Sequence, residues 1–184
     1  MLFLKRPEYK FLILFIPLII LWFFFYHYLY KIDEILSFEF DFLIAFSHFL
    51  SKQSNYLLYL FNFNTSVVIN GDMVITKILN YPYNHGVWIG EPCNGIKVFG
   101  VFSIFVLVFR GKTYNKLWFI PTGILILHFI NVIRVSVLTY ISAVNPYILD
   151  FNHNITFQLI IYLSMIILWY WWITKFSHQK KYED

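Results

Sequence analysis

The sequence predicts an all-α integral membrane protein that forms a single domain over residues 1–184. About four transmembrane helices are expected, with a small extracytoplasmic insertion that contains a β-hairpin and an amphipathic helix. Hydrophobic residue types make up 59% of the 184 residues and charged types only 13%, far from the average of soluble domains. Apolar runs long enough to cross a bilayer recur along the chain. The net charge is +4, but the basic residues stand at the ends of these runs, which indicates membrane topology rather than nucleic-acid binding.

The predicted spans cover about 11–30, 94–109, 117–144 and 154–173, and the insertion covers about 31–92. The first span is an uncharged run that, as a helix, is about 30 Å long and matches the hydrocarbon core. It follows a basic segment, as the apolar region of a signal peptide does, but no A-x-A cleavage site comes after it. We therefore interpret it as a signal anchor that starts on the cytoplasmic side.

The distribution of basic residues indicates the orientation. With a cytoplasmic N-terminus and four spans, nine of the 14 basic residues lie inside: Lys5, Arg6, Lys10, Arg110, Lys112, Lys116, Lys175, Lys180 and Lys181. The positive-inside rule favours this arrangement. The chain is therefore predicted to be a multi-pass protein of the cell's inner (cytoplasmic) membrane, with its candidate site facing the extracytoplasmic side.

The insertion contains two recognisable patterns. The segment "ILSFEFDFLIAFSHFL", residues 35–50, has helical apolar spacing but carries Glu39 and Asp41, each costing roughly 3 kcal/mol at a bilayer centre. We interpret it as a helix at the outer membrane surface; if it instead entered the membrane as a fifth span, Cys93 would lie on the cytoplasmic side. The segment "TSVVINGDMVIT" predicts a hairpin around Asn70-Gly71, and "GVWIG" predicts a third strand.

Three chemically useful side chains are predicted at one depth. Counting about 1.5 Å per residue from the cytoplasmic ends of the second, third and fourth spans, Cys93, Arg134 and His153 lie about 24, 26 and 30 Å up. Cys93 is the only cysteine of the chain. A thiol, a guanidinium and an imidazole therefore meet at the same outer boundary.

These three residue types suit acyl transfer. Cysteine attacks as the thiolate, and a helix N-terminus or a nearby cation lowers its pKa; Pro92 suits an initial helical turn and Lys97 lies four residues after the cysteine. His153 can take the thiol proton and return it to a leaving amine. Arg134 offers N–H donors to an oxyanion.

Each residue also has a plainer interpretation. Cys93 alone is more often a small packing residue, and the histidine in "FNHN" is more often a polar loop residue. Arg134 is costly within a span and so suggests function, although it can also reach the outer headgroups. His128, Asn131 and Arg134 recur at three-residue spacing, which would let Asn131 orient the guanidinium.

The sequence favours no metal site and no cofactor. A zinc site from Cys93, His85 and His153 lacks the paired spacing of ligand motifs, although His85 remains a possible second base. His27 and His48 lie on aromatic-rich surfaces, where packing at the membrane interface is the plainer interpretation. There is no phosphate-binding glycine loop and no dinucleotide fingerprint, so we expect no cofactor and no metal.

Three motifs resemble those of a known family. "EPCNGIK" before an apolar span, "NVIR" within the next span and "FNHNITF" at the start of the last are similar to the Cys, Arg and His motifs of the exosortase/archaeosortase family. These are multi-spanning membrane enzymes regarded as cysteine transpeptidases, and the resemblance covers about 90–172. It implies that Cys93 is the nucleophile and that Arg134 and His153 are essential.

The resemblance also assigns supporting positions and has limits. Gly95 matches the family glycine two positions after the cysteine, and Lys97 matches a position that is often basic. The common family motif is Ala-Cys-Ser-Gly, whereas Pro92 and Asn94 flank the cysteine here. Many members have eight or so spans, so the chain resembles a short subtype.

The implied function is a membrane cysteine protease or transpeptidase. Its partners would be exported proteins that end in a sorting motif, a transmembrane helix and a basic tail, together with membrane lipids; no nucleic acid is expected. The acyl acceptor would be water or an amine. The competing hypothesis is a non-enzymatic membrane assembly or scaffold protein in which Cys93 only packs and Arg134 pairs with a partner helix or a lipid. A small transporter is a third, weaker hypothesis, since no paired broken helices are evident.

Overall fold

The computed structural model describes residues 7–36, 42–70, 73–83, 86–90 and 93–177. Most of this chain is helical, with one small sheet. The elements in chain order are α1 (Pro7–Leu36), α2 (Phe42–Leu60), β1 (Thr65–Asn70), β2 (Met73–Ile78), β3 (Val87–Trp88), α3 (Ile96–Val108), α4 (Thr113–Val144), a 3₁₀ turn (Pro146–Ile148), α5 (Leu149–Phe151), a π-helix (Asn152–Thr156) and α6 (Phe157–Phe176). The structure therefore confirms the prediction of a mostly helical chain and contains one small sheet.

Three described helical segments are long and apolar enough to cross a membrane: Tyr9–Tyr28, Thr113–Val144 and Pro146–Phe176. They overlap with the first, third and fourth predicted spans, 11–30, 117–144 and 154–173. The second predicted span, 94–109, corresponds to α3, which begins at Ile96 and has 13 residues. A helix of that length is about 20 Å long, shorter than the hydrocarbon core.

The chain divides into two compact units. The described part of the first unit comprises 7–34, 96–127 and 163–177, and that of the second comprises 35–36, 42–95 and 128–162 with the gaps given above. Both α4 and α6 contribute residues to each unit. All of the side chains discussed below as the candidate site belong to the second unit.

The first unit is held together by aromatic packing. Phe105 stacks on Trp169 with ring centroids 4.2 Å apart, and Phe102, Phe119 and Trp172 are almost fully buried in the same cluster. Gly123 leaves room for this packing, because a methyl group there would overlap the Phe102 ring. The aromatic richness of the sequence thus provides the core of this unit.

The second unit contains the sheet, and here the hairpin prediction is confirmed. Strands β1 and β2 pair antiparallel from Thr65↔Ile78 to Asn70↔Met73, so the connection has two residues, which lie outside the described residues. Strand β3 pairs antiparallel with β2, as the third-strand prediction required. Ile89 N–H then donates to the Val74 carbonyl, 2.8 Å away, which fixes the chain just before Cys93.

The predicted surface helix over 35–50 is wrong in its boundaries. Residues 35 and 36 end α1, and α2 begins at Phe42 and continues to Leu60; Glu39 and Asp41 lie outside the described residues. The buried residues of α2 recur at three- and four-residue spacing: Leu43, Ser47, Leu50, Ser51, Ser54 and Leu58. This buried face contains three serines as well as three leucines, so the apolar spacing alone did not predict its extent.

Those hydroxyls join α2 to two neighbours. The Ser51 hydroxyl is hydrogen-bonded to that of Thr76 on β2, and Ser136 Oγ on α4 lies 3.0 Å from Ser54 Oγ. Buried polar groups need such partners to avoid a desolvation penalty. The sheet, α2 and the second half of α4 are thereby held together around the segment that carries Cys93.

Candidate active site

Cys93 lies in a turn between β3 and α3. Its N–H donates to the Gly90 carbonyl at 2.9 Å, and the Asn94 N–H donates to the same oxygen at 3.1 Å. Gly95 follows with φ of +82°, a conformation that disfavours side chains with a Cβ. The matched glycine therefore has a local physical role, which is to let the chain leave the turn and enter α3 at Ile96.

The Cys93 side chain is nearly inaccessible. It is 1% exposed and packs with Leu50, Ile89, Val132 and Val135. Burial in this apolar cluster raises the pKa of the thiol above its ordinary value, and the nearby Arg134 guanidinium offsets only part of that rise. The predicted lowering of the pKa by a helix N-terminus is therefore wrong, because desolvation outweighs the favourable charge.

The structure brings His153 to the thiol. Cys93 Sγ and His153 Nε2 are 2.8 Å apart, within hydrogen-bonding distance. His153 is half-buried and lies in the π-helix, one turn of wider winding between α5 and α6. Such turns shift the register of the side chains around them and are frequent at functional sites. Two groups 60 residues apart in the chain thus meet as a nucleophile and base would.

Arg134 approaches the same sulfur from α4. Its Nη2 lies 4.0 Å from Cys93 Sγ, and the side chain is only 4% exposed. A guanidinium so deeply placed cannot be reaching for bulk water, which removes the headgroup interpretation for the described conformation. It supplies a fixed positive charge beside the thiol.

Asn131 connects the arginine to the cysteine. Its Nδ2 donates to the Cys93 carbonyl at 2.8 Å, and its Oδ1 accepts from Arg134 Nη1 at 3.4 Å. The side chain is fully buried, at 0% exposure. Asn131 thus contacts both the guanidinium and the Cys93 backbone, and its role in orienting the guanidinium stays a prediction.

Two other predicted positions belong elsewhere. His128, on the same stripe as Asn131, donates from Nε2 to Gln53 Oε1 at 2.6 Å and stacks on Phe49, so it pairs with α2. The Lys97 ammonium lies 5.0 Å from the centroid of the Tyr26 ring, a cation–π contact in the first unit. The Lys97 ammonium therefore contacts α1.

Asn154 is a polar neighbour of the site that the sequence interpretation missed. Its Oδ1 lies 3.1 Å from His153 Nδ1. The signal was present in "FNHN", where an amide directly follows the histidine, but the sequence interpretation of this segment assigned a role only to His153. Among the described residues, no three His, Cys, Asp or Glu side chains cluster as a metal site would, and His85 and Pro92 lie outside those residues.

Comparison with known proteins identifies one family. The family model described as transmembrane exosortase (Exosortase_EpsH) matches residues 9–170, which is most of the chain. No curated protein and no solved structure is significantly similar to the chain. The matched range includes every element from the body of α1 to most of α6, and with them all of the side chains of the candidate site.

Proposed function

The chain belongs to the transmembrane exosortase family, and on that basis we propose that it is a cysteine protease or transpeptidase that cleaves C-terminal sorting signals of exported proteins. The family is generally one of cysteine peptidases and transpeptidases. The observation that carries the proposal for this chain is the 2.8 Å contact between Cys93 Sγ and His153 Nε2, with Arg134 Nη2 4.0 Å from the same sulfur.

The first chemical step is attack by Cys93. Because burial raises the pKa of its thiol, the sulfur holds its proton until a base removes it. His153 Nε2 is in position to take that proton as the C–S bond forms to the scissile carbonyl carbon. The histidine becomes an imidazolium, and the carbonyl oxygen becomes an oxyanion.

The second step breaks the peptide bond. Arg134, fixed by Asn131, stabilises the oxyanion in a site that excludes water. The imidazolium then gives its proton to the departing amine, the C–N bond breaks and a thioester remains on Cys93. Water or an amine finally attacks the thioester and His153 accepts the incoming proton. The C–S bond then breaks to release the acyl product, and the imidazolium returns the proton to Sγ, which regenerates the thiol.

The proposed topology has four spans, with α3 as the shortest. Its length of about 20 Å requires local thinning of the bilayer or crossing by flanking residues. The N-terminus is cytoplasmic, and Cys93 faces the extracytoplasmic side of the inner membrane. Substrates would be exported proteins with a sorting motif, a transmembrane helix and a basic tail, and the basic tail would hold the motif at the level of the thiol.

Processing in cells tests the catalytic proposal. We expect Cys93→Ala to abolish cleavage of the C-termini of exported proteins, measured by mass spectrometry of membrane and surface fractions. Ser103→Ala is a matched control, because its hydroxyl bonds only to the Phe99 carbonyl of its own helix among the bonds described. Cleavage that persists in Cys93→Ala, at wild-type protein levels, would favour the non-enzymatic scaffold instead.

Labelling of intact cells tests the orientation separately. Asn70, at the exposed end of β1, can carry a new cysteine in a Cys93→Ala background. A membrane-impermeant maleimide should modify Asn70→Cys without permeabilisation. Labelling only after permeabilisation would reverse the proposed orientation while leaving the catalytic geometry untouched.

A further inference from the structure

In the π-helix, the imidazole of His153 has a second hydrogen-bond partner besides Cys93. One ring nitrogen, Nε2, lies 2.8 Å from Cys93 Sγ, and the other, Nδ1, lies 3.1 Å from Asn154 Oδ1. The two contacts involve different nitrogens of the same ring. The proposed mechanism uses only the first of them.

The second contact determines where the proton of the neutral ring resides. An amide oxygen only accepts hydrogen bonds, so a bond between Asn154 Oδ1 and Nδ1 requires the proton to be on Nδ1. In a neutral imidazole the other nitrogen then carries a lone pair. Nε2 can therefore accept the proton of the Cys93 thiol rather than compete with it as a second donor.

We propose that Asn154 is a positioning residue that holds His153 in the Nδ1–H tautomer and so completes a Cys–His–Asn arrangement with Cys93. This inference rests on the proposed function for its catalytic consequence. The same sequence of groups, thiol to imidazole to side-chain amide, occurs in papain-like cysteine proteases. During attack the proton moves from Sγ to Nε2, and the Nδ1–H bond to Asn154 is retained throughout.

The two asparagines that flank His153 lie in the same turn but have different hydrogen-bond partners. His153 and Asn154 both lie in the five-residue π-helix, Asn152–Thr156. Asn152 in the same turn donates from Nδ2 to the Ile148 carbonyl at 2.9 Å, one turn earlier. The two asparagines that flank the histidine therefore differ in their contacts: Asn152 binds the backbone, and Asn154 binds the ring.

A spectroscopic measurement tests the tautomer without reference to substrate. The full-length protein is labelled with ¹⁵N-histidine in detergent micelles, and His153→Gln identifies the His153 ring signals. We expect a protonated Nδ1 and an unprotonated Nε2 at a pH where the ring is neutral. The Nδ1–H population should fall in Asn154→Ala and stay at the wild-type level in Asn152→Ala. A wild-type ring protonated at Nε2 would overturn the inference, whatever the activity of the protein.

Single-turnover cleavage tests the consequence. Loss of one neutral hydrogen bond corresponds to roughly a twofold to tenfold lower rate, which we expect for Asn154→Ala and for Asn154→Leu, which is of similar size. Asn154→Asp keeps an acceptor and should restore the rate, whereas Asn152→Ala should match the wild type. Equal rates for Asn154→Leu and Asn154→Asp would overturn the inference. If no variant, including the wild type, cleaves any exported protein although the tautomer is as expected, the proposed function fails and the positioning of the ring stands.

Discussion

Replacing Asn131 with alanine removes two hydrogen bonds from one buried point of the site. The amide donates to the Cys93 carbonyl at 2.8 Å and accepts from Arg134 at 3.4 Å, and its exposure is 0%. Alanine can replace neither bond. We therefore expect that in Asn131→Ala the site opens more often, which exposes the Cys93 thiol, and that the Arg134 guanidinium is misplaced.

The size of the effect follows from the two bonds. A neutral hydrogen bond contributes about 0.5–1.5 kcal/mol and a bond to a charged group about 1.5–3 kcal/mol. The contact with Arg134 is long, which places it at the lower end. The free energy of opening should therefore fall by about 2–3 kcal/mol, which corresponds to a roughly thirtyfold to 150-fold larger open population.

The single cysteine makes this opening measurable. Cys93 is the only thiol of the chain and is 1% exposed, so a bulky maleimide fluorophore reacts only when the site opens. When closing is faster than labelling, the labelling rate of the purified protein is proportional to the open population. We expect the rate for Asn131→Ala to exceed that of the wild type by the factor given above.

Thr139→Ala is the matched control on the same helix. Thr139 is also fully buried, but its hydroxyl bonds to the Val135 carbonyl of its own helix and not to the site. Its replacement should change the labelling rate of Cys93 by tenfold or less. If Asn131→Ala labels no faster than Thr139→Ala, the bonds from Asn131 do not hold the site closed, and the reasoning from the geometry is refuted.

Three further predictions concern charge and backbone. Because the Arg134 guanidinium lowers the pKa of the buried Cys93 thiol, Arg134→Gln should move the midpoint of the pH dependence of Cys93 alkylation to higher pH; an unmoved midpoint would contradict the electrostatic contact. Gly95→Ala should cost about 1–2 kcal/mol because φ is +82°, measured as a lower apparent melting temperature by tryptophan fluorescence; an unchanged melting temperature would contradict the strain. Gly123→Val should lower the free energy of unfolding by about 1–3 kcal/mol through overlap with the Phe102 ring, and so lower the same melting temperature; a wild-type melting temperature would show that the ring can move aside.

Elements with a strong local signal could be predicted from the sequence. The long apolar runs predicted α1, α4 and α6, and Asn70-Gly71 between β-branched residues predicted the β1–β2 pairing that the structure shows. The limits of α2 could not be predicted in this way. Its buried face includes serines that bond to Thr76 and to Ser136, which are distant in sequence, so its boundary depends on tertiary contacts rather than on apolar spacing.

The candidate site could be predicted only in part, because the sequence indicates depth along each span but not the tertiary contacts around a side chain. Counting residues along spans gave Cys93, Arg134 and His153 a common depth, and the structure brings these side chains together. Depth along a helix contains no information about lateral burial. The apolar side chains that enclose Cys93 include Leu50 and Val135, which come from other elements, and their desolvating effect reverses the expected direction of the thiol pKa.

That reversal has a consequence for a lone thiol on the proposed extracytoplasmic side. Oxidation of cysteine depends on thiolate character and exposure, and Cys93 has little of either, since burial raises its pKa and leaves it 1% exposed. A permanently ionised thiolate would react with oxidants between catalytic cycles. In the proposed mechanism, a neutral thiol beside His153 becomes nucleophilic only as its proton moves to Nε2, and Arg134 stabilises the oxyanion. The proposed mechanism therefore couples reactivity to the presence of a substrate carbonyl, and it would make catalysis depend on the histidine more strongly than a preformed ion pair would.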